Sequence, residues 1–246
     1  MKRNIYNDFA WECLRRNPQY IRDWEFFMKN NHEKKEPSQG KSEFIQSELD
    51  LNAEHKWGLM KYISPYDSDP VNVFWSLKLS NRSVRVTLNN TGKIKGGYTW
   101  GDMSNQPGIE HKILRMHDDS LCVKIFNQNA YFQLFIESTT VLMEDSNLYI
   151  PFHLESDTFS KNIEILQSIV NHKIEVEAKK EEQYLGLLKT IDDRKKGFSH
   201  RDIASKIFGK ELVNNEWSAD SWVRAKIRYR IKKANKLINH GYLDFL

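Results

Sequence analysis

Along the chain, the period of the apolar positions changes twice. From Asn7 to Met28, Phe9, Trp11, Leu14, Tyr20, Trp24, Phe26 and Phe27 recur at helical spacing, interrupted by "NPQY". Pro18 disfavours an α conformation at Asn17, so the pattern predicts two short helices. The stretch "NNHEKKEPSQGKSEF" that follows is polar and aperiodic and holds Pro37 and Gly40, which predicts a linker or long loop.

From Trp57 to about His153 the texture shifts to short runs rich in β-branched and aromatic residues: "VFWSLKL", "SVRVTL", "HKILRM", "LCVKIF", "AYFQLFI" and "LYIPFHL". Turn clusters "NNTGKIKGG", "HDDS" and "NQN" lie between them, which predicts a small antiparallel sheet or open barrel. Helical spacing returns with Ile163, Ile165, Leu166, Ile169 and Val170, before a charged passage "EVEAKKEEQ".

The stretch from Tyr184 onward predicts a unit made only of helices. "YLGLLKTI" is one helix. In "GFSHRDIASKIFG" Ser199 is placed as an N-cap, Asp202 as its capping-box acid and Gly209 as a stop, with Ile203, Ala204 and Ile207 as the buried face. A third helix starts near "WSADSW", where Ser218 can cap and Asp220 suits the positive end of the dipole. In "WVRAKIRYRIKKANKLI" apolar and cationic residues first alternate like a half-buried strand, but the alternation stops after Ile231. Val223, Ile227, Ile231, Ala234 and Ile238 instead make one helical stripe, so a helix is predicted. Arg224, Arg228, Lys232 and Lys236 then form one basic row, and Lys226, Arg230 and Lys233 a second.

The expected fold class is α+β. A helical segment covers 1–56, a β-rich antiparallel domain 57–155, a connecting helix 156–180, and an all-helical, helix-turn-helix-like domain 181–246.

Charge alone decides little: 37 Lys and Arg against 33 acids give net +4 and a pI near 8.8, a mild excess over 246 residues. Cys13 and Cys122 are far apart with no CxxC partner, which argues against a disulfide framework or zinc site. No apolar run approaches the roughly 18 residues of a membrane span, so a cytoplasmic protein with no membrane partner is expected.

The local charge is more informative. Seven cations and no acid between Trp222 and Ile238 repel one another at i,i+4 spacing, and a polyanion relieves that repulsion. Placed after two shorter helices, the segment resembles the recognition helix of a helix-turn-helix. On that reading Ser218, Ser221 and Arg224 face base edges or flanking phosphate. Lys226, Arg228, Arg230, Lys232 and Lys233 contact phosphates, and His200 and Arg201 hold the backbone from the preceding helix. Basic helical faces also dock onto proteins, so both partners stay open at this point.

Other signals point away from chemistry. His111, His117, Asp118 and Asp119 in "HKILRMHDDS" suggest a metal site, but "HDDS" between strand-like runs is foremost a hairpin turn. "NNTGKIKGGYTWGD" lacks the order of a phosphate-binding loop. The aromatics of "WECLRRNPQYIRDWEFF" fit core and interface better than base stacking. No catalytic grouping, cofactor site or metal site is expected.

"AWECLRRNPQY", "HKWGL" followed by "VFW", and "SHRDIASKIFG" with "SWVRAKIRYRIKKANKLINHGYLDFL" carry a resemblance in order along nearly the whole chain. It is weakest between Asn30 and Glu54. The chain resembles the proteobacterial transcriptional-regulator-like proteins of integrative and conjugative elements, the excision activators of the FseA type. These pair an N-terminal regulator-like domain with a C-terminal helix-turn-helix-like domain formerly of unknown function. Leu243 stands where the family commonly has Arg, and the basic helix is Lys-rich rather than Arg-rich. The resemblance implies a sequence-specific regulator of duplex DNA that activates excision or conjugative-transfer genes. The protein partner expected on the remaining surface is a second protomer, RNA polymerase or another regulator. The resemblance also implies an alternative, since relatives made of the C-terminal domain alone are antiactivators that bind the activator protein.

Overall fold

The computed structural model describes residues 6–30, 43–91, 98–137, 141–150, 157–170 and 178–246. Much of the polar stretch after Asn30, most of the "NNTGKIKGG" turn, the end of "LYIPFHL" and the first three residues of the "EVEAKKEEQ" passage lie outside those residues. The chain forms two compact units. One comprises Met1–Asp8, Pro18–Glu175 and Leu246, the other Phe9–Asn17 and Val176–Phe245. The fold class is α+β, with a sheet in the middle of the chain and helices at both ends.

Pro18 separates the first two helices, α1 (Phe9–Leu14) and α2 (Pro18–Asn30), and takes the first position of α2, where its missing N–H costs nothing. In the first unit, α2 and α3 (Leu51–Trp57) accompany a sheet of β1 (Glu43–Ile45), β2 (Ser83–Asn89), β3 (Glu110–Arg115), β4 (Leu121–Phe126), β5 (Tyr131–Ile136) and β6 (Asn147–Tyr149). Their order is β1-β3-β4-β5-β2-β6.

The β3-β4 and β4-β5 ladders are antiparallel hairpins, as the turn pattern predicts, and β2-β6 is antiparallel as well. The expected wholly antiparallel sheet is corrected by two parallel ladders, β1-β3 and β2-β5. Both join strands far apart in sequence, a pairing that no local turn signal announces. The "HDDS" stretch does turn between β3 and β4, with Ser120 N–H donating to Asp118 Oδ1 at 3.0 Å and Asp119 at φ 63°.

Period-2 alternation along β4 and β5 sends apolar residues to both faces of the sheet. Val123, Ile125, Phe132, Leu134 and Ile136 form one core with Trp100 and Met103 of α4 (Trp100–Ser104) and Leu166 and Ile169 of α5 (Asp157–Val170). Leu114, Cys122 and Phe135 on the opposite face pack with Met60 and Phe74.

"VFWSLKL" is not a strand. It covers this second face as a loop that makes one isolated bridge, Trp75 to Leu59, and is also held by side chains: Gln133 Nε2 donates to Trp75 O at 2.7 Å, and Trp75 N–H donates to Gln133 Oε1 at 2.8 Å. The register neighbour of Gln133, the fully buried Lys124, donates to Pro70 O at 2.9 Å and Val73 O at 2.5 Å. Burial pushes the Lys124 ammonium down to about 8, against the pull of the nearby Asp8 carboxylate. These polar groups are tolerated in the core because each finds a backbone partner. No described helix is long and apolar enough to cross a membrane.

Candidate nucleic-acid interface

The second unit is built from α1, α6 (Ala178–Lys195), α7 (His200–Phe208), α8 (Lys210–Glu216), α9 (Trp222–Asn239) and a closing 3-10 turn, Gly241–Phe245. α7 begins with the capping box expected from its sequence. Ser199 Oγ accepts from the Asp202 N–H at 3.1 Å while Ser199 N–H donates to Asp202 Oδ2 at 2.9 Å. Gly209, at φ 90°, ends α7 and starts α8 in a left-handed conformation that a Cβ would strain. The apolar pattern does not announce α8. It also puts Ile207 on the buried face of α7, whereas Ile207 is 39% exposed; Phe208 packs against the core of Ile203, Ala204, Val213, Val223 and Ile227 instead.

The ambiguous basic segment is a helix. Val223, Ile227, Ala234 and Ile238 are buried along one stripe with Ile231 half-buried, and the opposite side is left to solvent. Ser221, not Ser218, caps it: the Ser221 hydroxyl accepts from the Arg224 N–H at 3.3 Å and donates to Ser218 O at 3.2 Å.

The sequence-predicted site residues separate into three groups. Lys226, Arg228, Lys232 and Lys233 are exposed and Arg224 half-buried, and among the described residues none of these five lies in an ion pair. His200 and Arg201 begin α7. Burial lowers the imidazole pKa of His200, and Arg194, Arg224 and Arg228 lower it further, so the start of α7 and the first turns of α9 share one positive field. Arg194, at the end of α6, belongs to that cluster although its sequence carries no signal. Arg201 Nη2 donates to Asn214 Oδ1 at 3.2 Å, which leaves the rest of its guanidinium exposed.

The third group is turned to structural use. Ser221 is 8% exposed and its hydroxyl is committed to the cap, while Ser218 is exposed on the preceding turn. Arg230 is half-buried and its Nη2 donates to Gly186 O on α6 at 2.8 Å. A glycine permits this approach: a Cβ on Gly186 would sit 3.3 Å from Nη2.

The residues suggested for a metal do not converge. His111 packs edge-on to Trp100 at 5.1 Å, and His117 Nε2 faces Glu48 at 3.8 Å. Among the described residues no group of three or more metal-binding side chains is assembled.

Two family models match the chain. Residues 165–246 match the model described as "T6SS, Transcription factor, DNA binding domain", which covers the helical unit from α6 onward. Residues 1–60 match a "Proteobacterial transcriptional regulator-like domain". No curated protein matches the chain. The matches point to a regulator rather than an enzyme, and with the basic face of α9 they support a DNA-binding transcription regulator.

Proposed function

We propose that this protein binds duplex DNA sequence-specifically through α9, used as the recognition helix of a helix-turn-helix-like domain, and activates transcription. The observation that carries the reading is a row of exposed cations, Arg228 and Lys232 with Arg224 beside them, that no described acid of the second unit pairs with. Duplex DNA offers phosphates at a repeat that such a helix tracks, and releasing counterions from them supplies affinity. His200 and Arg201, at the positive end of α7, are assigned to the flanking backbone. Second-protomer, RNA polymerase or partner-regulator contacts are assigned to the remaining surface.

The regulated genes are proposed from the resemblance to excision activators: those for excision or conjugative transfer of a mobile element. The matched family is described with T6SS, which places those relatives in another setting. The antiactivator reading fits less well, because a purely protein-binding surface gains little from like charges at i,i+4 spacing.

The test is a fluorescence-anisotropy titration of the protein against duplexes tiled across its own upstream region, at low and near-physiological salt. Tight binding to one tile that survives added salt is the expected result. Weak binding that is equal on all tiles and abolished by salt would refute the proposal.

A further inference from the structure

Beside the cations, α9 carries an apolar stripe in water. Trp222, Ala225 and Tyr229 lie three and four residues apart on one face; Trp222 is 49% exposed, Tyr229 62%, and Ala225 is exposed between them. The stripe starts at the first residue of the helix. Its leading ring is held in place: Phe208 meets Trp222 edge-on at 5.6 Å, and Lys226 Nζ lies 5.8 Å from the Trp222 ring and 5.6 Å from that of Phe208. A fixed, half-exposed aromatic among cations is a preformed contact surface, since it gives up little conformational freedom on binding.

Charge fixes the occupant. The cations that border the stripe, Lys226, Arg228, Lys232, Lys233 and Lys236, are exposed and complement a polyanion, and on duplex DNA the phosphates and most base edges are polar. The apolar group on the major-groove wall is the C5 methyl of thymine. The N-terminal residues of a recognition helix are those that reach base edges. We infer that Trp222, together with Ala225, reads thymine 5-methyl groups in the major groove, with Tyr229 extending the contact along the helix. This rests on the DNA-binding reading above and adds to it a base preference and residues absent from the sequence-derived set. Arg224 and Arg228, on the flank shared with His200, then hold the register on the phosphates.

The experiment removes the methyl and nothing else. Duplexes are selected by the full-length protein from a random-sequence pool, and each thymine of the selected site is replaced in turn by deoxyuridine. At one or more positions the wild-type protein is expected to bind about fourfold more weakly, the equivalent of roughly 0.8 kcal/mol for one buried methyl-sized group. Trp222→Ala is expected to bind the methylated and demethylated duplexes equally at that position. Tyr229→Ala serves as a second variant, and thermal melting confirms that both fold. Deoxyuridine without effect anywhere, or with the same effect on Trp222→Ala, would overturn the inference while leaving DNA binding standing. Selection of no sequence at all would sink the DNA-binding reading, and the inference with it.

Discussion

Arg16 grips Asp192 with two parallel hydrogen bonds, Nε to Oδ1 at 2.9 Å and Nη2 to Oδ2 at 2.9 Å, across 176 residues of sequence. The same guanidinium donates to Glu12 O at 2.6 Å, and Glu12 also accepts from Arg15 at 2.9 Å and 3.0 Å. α1 is thereby fastened to α6 by a bidentate pair, the strongest geometry available to these side chains. Because the pair is only partly buried, Asp192→Asn is expected to lower the stability of the second unit by about 1–2 kcal/mol in urea unfolding.

The same pair makes stability fall in acid. Burial acts to raise the Asp192 pKa, but the Arg16 bonds and charge outweigh it and hold the carboxyl below its ordinary value. As pH falls the unfolded chain takes up this proton first. The contribution is therefore complete above about pH 4, near the ordinary Asp value, and is lost as pH drops through the lower folded value. Wild type should lose stability relative to Asp192→Asn over that window; parallel curves for the two proteins would refute the assignment.

The two serines before α9 should behave differently despite being three residues apart. Ser221→Ala removes the hydroxyl that accepts from the Arg224 N–H and is expected to cost about 1 kcal/mol. Ser218→Ala, on an exposed turn, is expected to change stability by less than about 0.5 kcal/mol. Equal losses in thermal melting would contradict the capping geometry.

Three cations of α9 should likewise divide. Arg228→Glu with Lys232→Glu is expected to weaken DNA binding strongly and to reduce the steepness of the log–log salt dependence by about 0.9 for each phosphate that is no longer neutralised. Arg230→Ala removes the bond to Gly186 O and is expected to cost about 1 kcal/mol of stability with the salt slope unchanged. A slope reduced by Arg230→Ala would place that guanidinium on DNA after all.

In the first unit, Gln133→Leu leaves the buried N–H and C=O of Trp75 without their side-chain partner. A loss of about 3 kcal/mol is expected, followed by tryptophan fluorescence during urea unfolding, because each orphaned buried group costs roughly 1–3 kcal/mol. A change below about 1 kcal/mol would mean that the loop re-pairs elsewhere.

What is legible in the sequence is local. The capping box of Ser199 and Asp202 and the stripe from Val223 to Ile238 each depend on residues within a few turns of one another. "VFWSLKL" misleads because its β-prone residues pack on a sheet rather than joining it: the side chains of Lys124 and Gln133 bond its backbone at Val73 and Trp75, and Trp75 pairs with Leu59 in an isolated bridge. α8 escapes the pattern because Gly209 reads as a stop, and only Leu212 and Val213 follow as apolar signal within it. Arg230 resembles its neighbours in sequence, and it is Gly186, 44 residues earlier, that provides the carbonyl turning it inward. Arg194 carries no motif, and Trp222 is quoted within one without a role of its own; their interest comes from what the folded chain brings beside them.

The fastening of α1 to α6 also sets an order of events during synthesis. At about 5–20 residues per second, a ribosome needs roughly ten to thirty seconds to pass from Arg16 to Asp192, a separation of 176 residues. Through that interval Phe9, Trp11 and Leu14, all buried in the finished protein, have not yet met the helices they belong with. The nascent chain thus carries an adhesive N-terminal segment while its middle is still being made, and the helical unit closes only after α6 and α9 have emerged.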